Sequence, residues 1–490
     1  MIKLRPAQEK AVDEVRDELS HVQSVLLRAP CRFGKTVVAS FIAQRTTLNK
    51  RRVIFSCHRD AILNQVSKTF DKFGIDHGFI AGSVKPSPFS LAQVASADTL
   101  CNRLHVFDGD AGILIVDECH LWHTKTRKLI IDTAREKKWR VIGLSATPMR
   151  PDGRALSDLF DVMVYGPSEF ELIMSGDLAK YRVYAPVDAD LKGLKTSGVD
   201  YSREDAAERL NKPEIVGDAV KTWRTYAEGM RTVVYCINRQ HGRDVLAAYQ
   251  AAGVKASYMD GNTPKSEQKT ICNALADGEI DVLVSVELLT TGFDLSSLVG
   301  RDVPIQCVQL LRPTKSLPLA IQMMMRCMTA QSGEAIILDH VNMVLNKDGT
   351  TNHGFPDDDR DWNLDGKPRA KKAGETDFNV WRCDECFADV RSTKTECPYC
   401  NKEHKPKERA IVMTEGELQE IKRQEEQARA DRRKEVGRSR SGDALATLAV
   451  KRGYKPGWIV QQAKLKRIPG IDWKAACVLM MKAKEELGND

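Results

Sequence analysis

The chain has 490 residues, a length that predicts three or four domains. Its hydrophobic content of 42% and charged content of 29% are typical of globular proteins and exclude a mostly disordered chain. No apolar run reaches the roughly 18 residues of a membrane span, and the N-terminus lacks a secretory signal pattern, so we expect a cytoplasmic protein. The net charge of +7 is too mild to identify a nucleic-acid-binding protein by itself.

Short apolar, β-rich runs alternate with helical stretches over most of the chain. This alternation predicts two α/β lobes of comparable size, each a parallel sheet covered by helices on both faces. The predicted strands are 24–27, 52–55, 111–116 and 141–144 in the first lobe, and 232–235, 281–284 and 335–338 in the second.

The segment 29–36, Ala-Pro-Cys-Arg-Phe-Gly-Lys-Thr, matches the phosphate-loop pattern with Ala in the first small position. A predicted strand precedes it and a predicted helix, 37–45, follows it. Backbone N–H groups of such a loop can cradle phosphates, while Lys35 reaches the β- and γ-phosphates and Thr36 ligates Mg²⁺. Arg32 occupies a position where Gly is more usual, so we expect a less free backbone there.

The sequence Val116-Asp117-Glu118-Cys119-His120 closes an apolar predicted strand. Acidic residues at the carboxyl end of such a strand lie where α/β sheets bind ligands. Asp117 would then hold Mg²⁺, and Glu118 would orient and deprotonate the attacking water. The alternative is an ordinary pair of acids in an exposed turn, which the upstream phosphate loop disfavours.

Four of the thirteen cysteines form one cluster: Cys383, Cys386, Cys397 and Cys400. Two Cys-x-x-Cys pairs separated by ten residues predict a structural Zn²⁺ site in a ribbon of short strands, since four thiolates leave no open position. Four free buried cysteines are the alternative. The other nine are scattered, as expected in a reducing compartment. The ribbon could bind nucleic acid or a protein.

The C-terminal part predicts a highly charged helix that ends near residue 435, and two short helical patterns after it. The charged helix is typical of a solvated connector. From Lys451 onward the sequence has nine Lys or Arg residues and only four Asp or Glu residues, with Tyr454, Trp458 and Trp473 interleaved. Such a tail can stack bases and hold phosphates, but a small helical hairpin with an aromatic core explains the same residues.

Ser145-Ala146-Thr147 follows a further apolar strand and completes a specific order of motifs. In that order the chain resembles the superfamily-two DEAD/DEAH-like helicases, and more closely their RadD-type bacterial and phage branch, from Leu4 to about Asp365. The resemblance implies two RecA-like lobes that clamp ATP and Mg²⁺ in their cleft, with a nucleic-acid strand across both. It favours DNA over RNA, and a role in recombination, repair or replication in a bacterial or phage-infected cell.

The resemblance also implies the roles of individual residues, with Gln8 reading the adenine, and Ser145 and Thr147 coupling hydrolysis to lobe movement. Without the resemblance, the sequence alone predicts that Met323 to Met325 are ordinary core residues and that Gly292 marks a tight turn. The implied nucleotide-binding residues are Gln8, Ala29, Gly34, Lys35, Thr36, Asp117, Gly292, Asp294 and Gln322. The implied catalytic residues are Lys35, Asp117, Glu118 and Arg326, and the implied strand contacts are His58, Arg59, Ser96, Thr99 and Thr291.

The last motif departs from the family pattern of Gln, two residues, Gly-Arg, two residues, Arg. Met325 replaces the Gly, and Thr329 stands where the second Arg belongs, which leaves Arg326 as the candidate for the γ-phosphate. Two rivals to a helicase stay open, and the Thr329 substitution favours the second of them. One is a translocase that never unwinds a duplex, and the other is a nucleotide-gated binding module that recruits repair proteins with little turnover.

The sequence thus predicts an α/β protein with two tandem RecA-like lobes, a small zinc ribbon and a helical tail. Recombination proteins or single-strand-binding proteins are candidate partners through the ribbon or the tail, and no membrane is expected. The predicted domains are a first lobe 1–180, a connector 181–215, a second lobe 216–345, a linker 346–375, a zinc ribbon 376–404, a charged helix 405–440 and a basic tail 441–490.

Overall fold

The chain forms two compact units, residues 1–405 and 406–490, which are described separately. Among the described helices, none combines the length and the apolar character of a membrane span. The computed structural model describes residues 3–58, 60–82, 89–150, 153–185, 191, 193–198, 200–211, 213–288, 295–346, 351–366, 380–391, 395–403, 441–452, 456–465 and 468–487.

The first lobe is a seven-stranded parallel sheet in the order β3-β4-β2-β5-β6-β1-β7. All four strands predicted here are confirmed, and they are buried almost throughout because helices cover both faces of the sheet. The strands are β1 Ser24–Arg28, β2 Val53–Cys57, β3 His77–Ile80, β4 Ala92–Ser96, β5 Ile113–Val116, β6 Arg140–Ser145 and β7 Val162–Tyr165. The helices are α1 Pro6–His21, α2 Lys35–Leu48, α3 Asp60–Lys72, α4 Ala97–Leu100, α5 Lys125–Glu136 and α6 Glu169–Met174.

The second lobe is an eight-stranded mixed sheet in the order β12-β13-β11-β14-β15-β8-β17-β16. Its three predicted strands are confirmed. The strands are β8 Tyr181–Tyr184, β11 Thr232–Tyr235, β12 Ala256–Asp260, β13 Val282–Val286, β14 Cys307–Leu310, β15 Ala335–Asp339, β16 Val380–Arg382 and β17 Ala388–Arg391, with a separate ribbon of β9 Thr196–Ser197 and β10 Asp200–Tyr201. The helices are α7 Arg203–Leu210, α8 Pro213–Ala227, α9 Arg239–Ala251, α10 Lys265–Asp277, α11 Leu295–Val299 and α12 Leu317–Met324.

The predicted connector 181–215 differs from the structure, because it begins with strand β8 of the second lobe and continues into α7. Strand β8 pairs in parallel with β15, and its Val183 side chain is fully buried. Its partner strand lies far along the chain, so no local sequence pattern indicates the pairing.

The predicted linker 346–375 also differs, because its described part, 351–366, packs into the first unit. Phe355 and Trp362 are 5% and 4% exposed. The Leu156 backbone N–H of the first lobe donates to the Leu364 carbonyl at 2.7 Å. These apolar residues stand singly among polar ones, so no periodicity indicated that they form core.

The cysteine-rich segment joins the second lobe rather than forming a detached module. Strand β17 pairs antiparallel with β8, with Ala388 opposite Tyr184. The Tyr226 hydroxyl of α8 donates to the Cys386 carbonyl at 3.1 Å, and the ring of Tyr226 stacks on that of Tyr184. The segment is therefore an extension of the sheet's edge.

In its described residues, 441–452, 456–465 and 468–487, the C-terminal unit has three helices, where the sequence of the tail predicts two helical patterns. Small buried side chains such as Ala449 and Ala476 let the helices approach closely, and Trp458 packs against them. Trp473 is 41% exposed, so the predicted aromatic core is only partly formed. Tyr454 and the predicted charged helix lie outside the described residues. The helices are α13 Gly442–Arg452, α14 Pro456–Leu465 and α15 Trp473–Leu487.

Candidate active site

Five neighbouring strands of the first lobe deliver polar residues to one edge of the sheet. The order β4-β2-β5-β6-β1 brings together the ends of these strands, and ligands of parallel α/β sheets bind at the carboxyl edge. The residues that follow or end them are Ser96, His58, Asp117 with Glu118, Ser145, and the phosphate loop 29–36.

The phosphate loop lies between β1 and α2, as the sequence predicts. Gly34 has a φ of 88°, a conformation that glycine adopts without strain, and helix α2 begins at Lys35 with no side-chain cap on its N-terminal N–H groups. The Lys35 ammonium donates to the carbonyls of Ala29 and Pro30 at 3.2 and 3.1 Å. The uncapped amides and this ammonium form a site that could hold phosphate.

Gln8 lies directly against the phosphate loop. Its side-chain amide donates to the Phe33 carbonyl at 2.9 Å, and its Oε1 accepts from the Arg5 backbone N–H at 3.0 Å. A Cβ on Gly34 would come within 2.7 Å of the Gln8 Nε2. The start of helix α1 is thereby fixed to the loop, at a place where Gln8 could reach a bound base.

The acid pair follows β5, and both carboxyl groups are close to Lys35. Burial and the neighbouring Glu118 charge raise the pKa of Asp117 to about 7, and Lys35 opposes the shift. Burial also raises the pKa of Glu118. The Asp117 backbone is held by Ser56, whose carbonyl accepts from its N–H at 2.9 Å. Two partly buried carboxyl groups beside a lysine could hold Mg²⁺ and activate water.

His120 belongs to this site, although the sequence analysis gave it no role. It is 2% exposed, and its Nδ1 lies 3.0 Å from the Ser145 Oγ and 3.4 Å from the Glu118 Oε2. Burial lowers the pKa of the imidazole to about 3, so it is neutral at physiological pH. The Ser145 Oγ also accepts from the Thr147 backbone N–H at 3.1 Å. The sequence signal that could have placed His120 in this site was its position, two residues after Glu118 in the same motif.

The first-lobe residues that are candidates for contact with nucleic acid lie beside one another. Strands β2 and β4 pair with Cys57 opposite Ser96, which brings His58, the next residue, close to Ser96. Thr99 lies one turn into the short helix α4 that follows. The remaining candidates fall outside the described residues: Arg59, Thr291, Gly292 and Asp294.

Gln322 and Arg326 of the second lobe are carried by the end of α12 and by a 3-10 turn, Met325–Cys327. Gln322 is buried, and its Oε1 has no partner among the described residues. Burial raises the pKa of the Cys31 thiol in the phosphate loop, and the charges of Lys35 and Arg326 both oppose that rise. The Arg32 guanidinium of the phosphate loop donates to the Arg326 backbone carbonyl at 3.2 Å, so the turn that carries Arg326 lies against the phosphate loop.

Met325 and Thr329, the two departures from the family pattern, both point away from the cleft. Met325 is fully buried in the core, as are Met323 and Met324, in agreement with their interpretation as core residues. The Thr329 hydroxyl is hydrogen-bonded to the Ser332 hydroxyl, which itself donates to the Ile305 carbonyl at 2.7 Å.

The two arginines that precede Arg326 most closely in the sequence, Arg301 and Arg312, are engaged elsewhere. Arg301 forms an exposed ion pair with Asp277 at the end of α10. Arg312 is 9% exposed and lies 3.9 Å from an oxygen of Asp200.

The four clustered cysteines fit a tetrahedral metal site. Their sulfur atoms all lie within 4.8 Å of one another, and the 2.3 Å Zn–S bond requires sulfurs about 3.8 Å apart. Phe387 and Asn401, which follow the two Cys-x-x-Cys pairs, have left-handed φ values of 55° and 59°. Each pair thus turns back on itself, and the site could hold Zn²⁺ through Cys383, Cys386, Cys397 and Cys400.

The fold and the site define a P-loop nucleotide hydrolase with two RecA-like lobes. Residues 1–150 match the family described as type III restriction enzyme, res subunit, and residues 211–331 match the helicase conserved C-terminal domain. The chain belongs to the superfamily-two helicases, an ATP-dependent class of enzyme.

Relatives by sequence agree with that assignment. The chain is 29% identical over 402 residues to a 51.5 kDa protein of a Lactococcus phage, which covers 81% of this chain and 82% of the relative. It is 30% identical over 242 residues to the putative ATP-dependent helicase IRC3 of Saccharomyces cerevisiae, over 48% of this chain and 34% of the relative. It is 27% identical over 310 residues to the DNA 3'-5' helicase XPB of Kineococcus radiotolerans, over 60% of this chain and 52% of the relative.

Proposed function

We propose that this protein is an ATP-dependent helicase or translocase that acts on DNA. The observation that carries the proposal is the contact between the phosphate loop and the second-lobe turn that carries Arg326, where Arg32 donates to the Arg326 carbonyl. Since a positioned arginine accelerates phosphoryl transfer, hydrolysis then depends on how the lobes are placed. A cleft that closes on ATP and opens after hydrolysis can move a strand that lies across both lobes.

Each site residue has a part in this proposal. Gln8 contacts the adenine, and the loop from Ala29 to Gly34 cradles the phosphates together with Lys35. Thr36 and Asp117 would hold Mg²⁺, and the ion would supply positive charge that offsets the negative charge of the phosphoryl group. Glu118 activates water, and Arg326 stabilises the transition state. The proposed strand contacts are His58, Arg59, Ser96, Thr99 and Thr291, and Gly292, Asp294 and Gln322 complete the proposed nucleotide site.

DNA is the proposed substrate because one of the relatives is named a DNA helicase. The net charge of +7 is compatible with a phosphate backbone as ligand. Recombination, repair or replication in the cytoplasm of a bacterial or phage-infected cell is the proposed setting, and the RadD-type branch stays a prediction. The zinc-binding segment and the tail are the proposed docking places for recombination or single-strand-binding proteins.

The test is a comparison of ATP hydrolysis with single-stranded DNA, duplex DNA and RNA, followed by strand displacement with the stimulating substrate. We expect stimulation by DNA, and loss of turnover in Lys35→Ala, with Arg16→Ala as a control because its exposed side chain pairs with Asp13 on the surface of α1. Stimulation by RNA alone would overturn the choice of DNA. Stimulated hydrolysis without displacement would identify a translocase.

A nucleotide-gated binding module is the second candidate. The buried hydroxyl of Thr329 favours it, because the described part of this motif then presents Arg326 alone to the cleft. Such a module would hold DNA tightly with ATP and release it with ADP, at a negligible rate of turnover. Single-turnover hydrolysis beside nucleotide-dependent DNA affinity distinguishes the two candidates.

A further inference from the structure

Arg32 of the phosphate loop reaches across the cleft to the second lobe. Its guanidinium Nη2 donates to the backbone carbonyl of Arg326 at 3.2 Å. The contact joins the loop that would cradle phosphate to the 3-10 turn that carries the candidate arginine. It is therefore placed to fix Arg326 relative to the nucleotide site.

The backbone of Arg32 makes this side chain unusual. Its φ is 68°, in the left-handed region that glycine adopts freely and that side chains with a Cβ disfavour. A glycine at this position would leave the loop unstrained. The loop thus holds a long cationic side chain in a conformation that glycine would suit better, which points to a role for the side chain itself.

The electrostatics of the second lobe agree with the position of this guanidinium. Burial raises the pKa of Tyr235, at the end of β11, and Arg326 and more weakly Arg32 oppose the rise. Burial also raises the pKa of Cys327 to about 12, and Arg32 is among the groups that oppose it. These effects agree with the hydrogen bond in bringing Arg32 near Tyr235 and Cys327 of the second lobe.

We propose that Arg32 is a positioning residue that holds the Arg326 turn opposite the phosphate loop. The first lobe then sets the placement of the second lobe's arginine directly. This inference rests on the proposed function only for its effect on turnover, because amide exchange at the Arg326 turn can be measured without nucleotide.

The test measures amide hydrogen exchange over residues 317–332 in the nucleotide-free full chain, together with kcat and ATP affinity. Arg32→Gly removes the side chain and the backbone strain at once, so the variant should melt at or above the wild-type temperature. We expect its exchange at 325–328 to quicken about tenfold, and kcat to fall about tenfold with ATP affinity within a small factor. Arg32→Lys keeps the charge but lacks the planar guanidinium, so its exchange rate and its kcat should lie between those of Arg32→Gly and the wild type.

Arg16→Ala is the control, and it should match the wild type in all three measurements. Unchanged exchange in Arg32→Gly overturns the proposal, even if kcat falls, because Arg32 would then act on the nucleotide alone. Quickened exchange with wild-type kcat overturns its link to turnover. A wild-type protein that hydrolyses no ATP would contradict the proposed function, and the exchange comparison would still decide whether Arg32 holds the turn.

Discussion

The imidazole Nδ1 of His120 lies 3.0 Å from the hydroxyl oxygen of Ser145, and this contact joins the turn after β5 to the end of β6. The Ser145 carbonyl in turn accepts from the backbone N–H of Ala29 at 3.0 Å, at the start of the phosphate loop. Glu118, His120 and Ser145 therefore form a continuous path from the candidate water-activating carboxyl group to the loop that would hold phosphate.

This path predicts that His120 and Ser145 act as one unit. His120→Ala and Ser145→Ala should each lower kcat about tenfold, and the double variant should fall no further than the more damaging single one, since residues that act together are non-additive. Steady-state ATPase at saturating DNA measures this. His105→Ala, at an exposed histidine of the same lobe, is the control. Fully multiplicative losses would show that the two residues act independently.

Glu118→Gln should bind ATP and DNA but hydrolyse barely at all. The amide keeps the size of the buried side chain and removes the carboxylate that would take the proton from water, while Asp117 keeps its Mg²⁺-binding oxygens. Equilibrium binding of a fluorescent ATP analogue, beside steady-state kcat, checks both halves of the prediction. Near-wild-type hydrolysis in this variant would remove Glu118 from the role of base.

Arg326→Ala should lower kcat by roughly 10³-fold or more while ATP affinity changes only by a small factor, because the charge acts mainly in the transition state. Arg301→Ala is the matched control, since that side chain is paired with Asp277 on the surface of the same lobe. If Arg326→Ala keeps most of its kcat, the catalytic cation is another residue, and Arg312 would be tested next.

The first-lobe site could be predicted because its information is local. A strand, a loop and a helix follow one another at residues 24–48, and the acid pair ends a continuous apolar run, so order along the chain was enough. His120 was missed because its role depends on Ser145, which belongs to a neighbouring strand. The orientation of Thr329 was equally hidden, since its hydroxyl is satisfied by Ser332 and faces the core.

The same reasoning explains why the predicted connector and linker contain residues that the structure places in the lobes. Strand β8 has only four residues, and its neighbours in the sheet, β15 and β17, come much later in the chain. Trp362 is a single aromatic residue in a polar segment, and nothing in the sequence around it indicates the first-lobe surface that it covers. Non-local pairing and isolated core residues leave no periodic pattern.

Thr329→Arg, which restores the family pattern, should destabilise the protein rather than raise its kcat. The Thr329 hydroxyl is buried and bonded to Ser332, so a guanidinium there would be confined without partners and should cost about 3 kcal/mol of stability. Thermal denaturation followed by circular dichroism measures the effect. Thr329→Ser, which keeps the hydroxyl, should melt close to the wild type. An unchanged melting temperature with a raised kcat would contradict this account.

The last prediction concerns the zinc site, where we expect one Zn²⁺ per chain held by Cys383, Cys386, Cys397 and Cys400. Metal binding to such a site is coupled to folding, so Cys400→Ser should lose zinc and loosen the edge of the second-lobe sheet. Elemental analysis of freshly purified, reduced protein gives the stoichiometry, and Cys101→Ser is the control because Cys101 lies in the first lobe, outside the cluster.

Because β17 pairs with β8, loss of zinc in Cys400→Ser should also quicken amide exchange in residues 181–184, which a free-standing ribbon would leave unchanged. Wild-type protein without stoichiometric zinc would contradict the site itself. Zinc retained in Cys400→Ser would instead change the ligand set. His404, which lies outside the described residues, would then be the next ligand to test, by adding His404→Ala to the same variant and measuring zinc again.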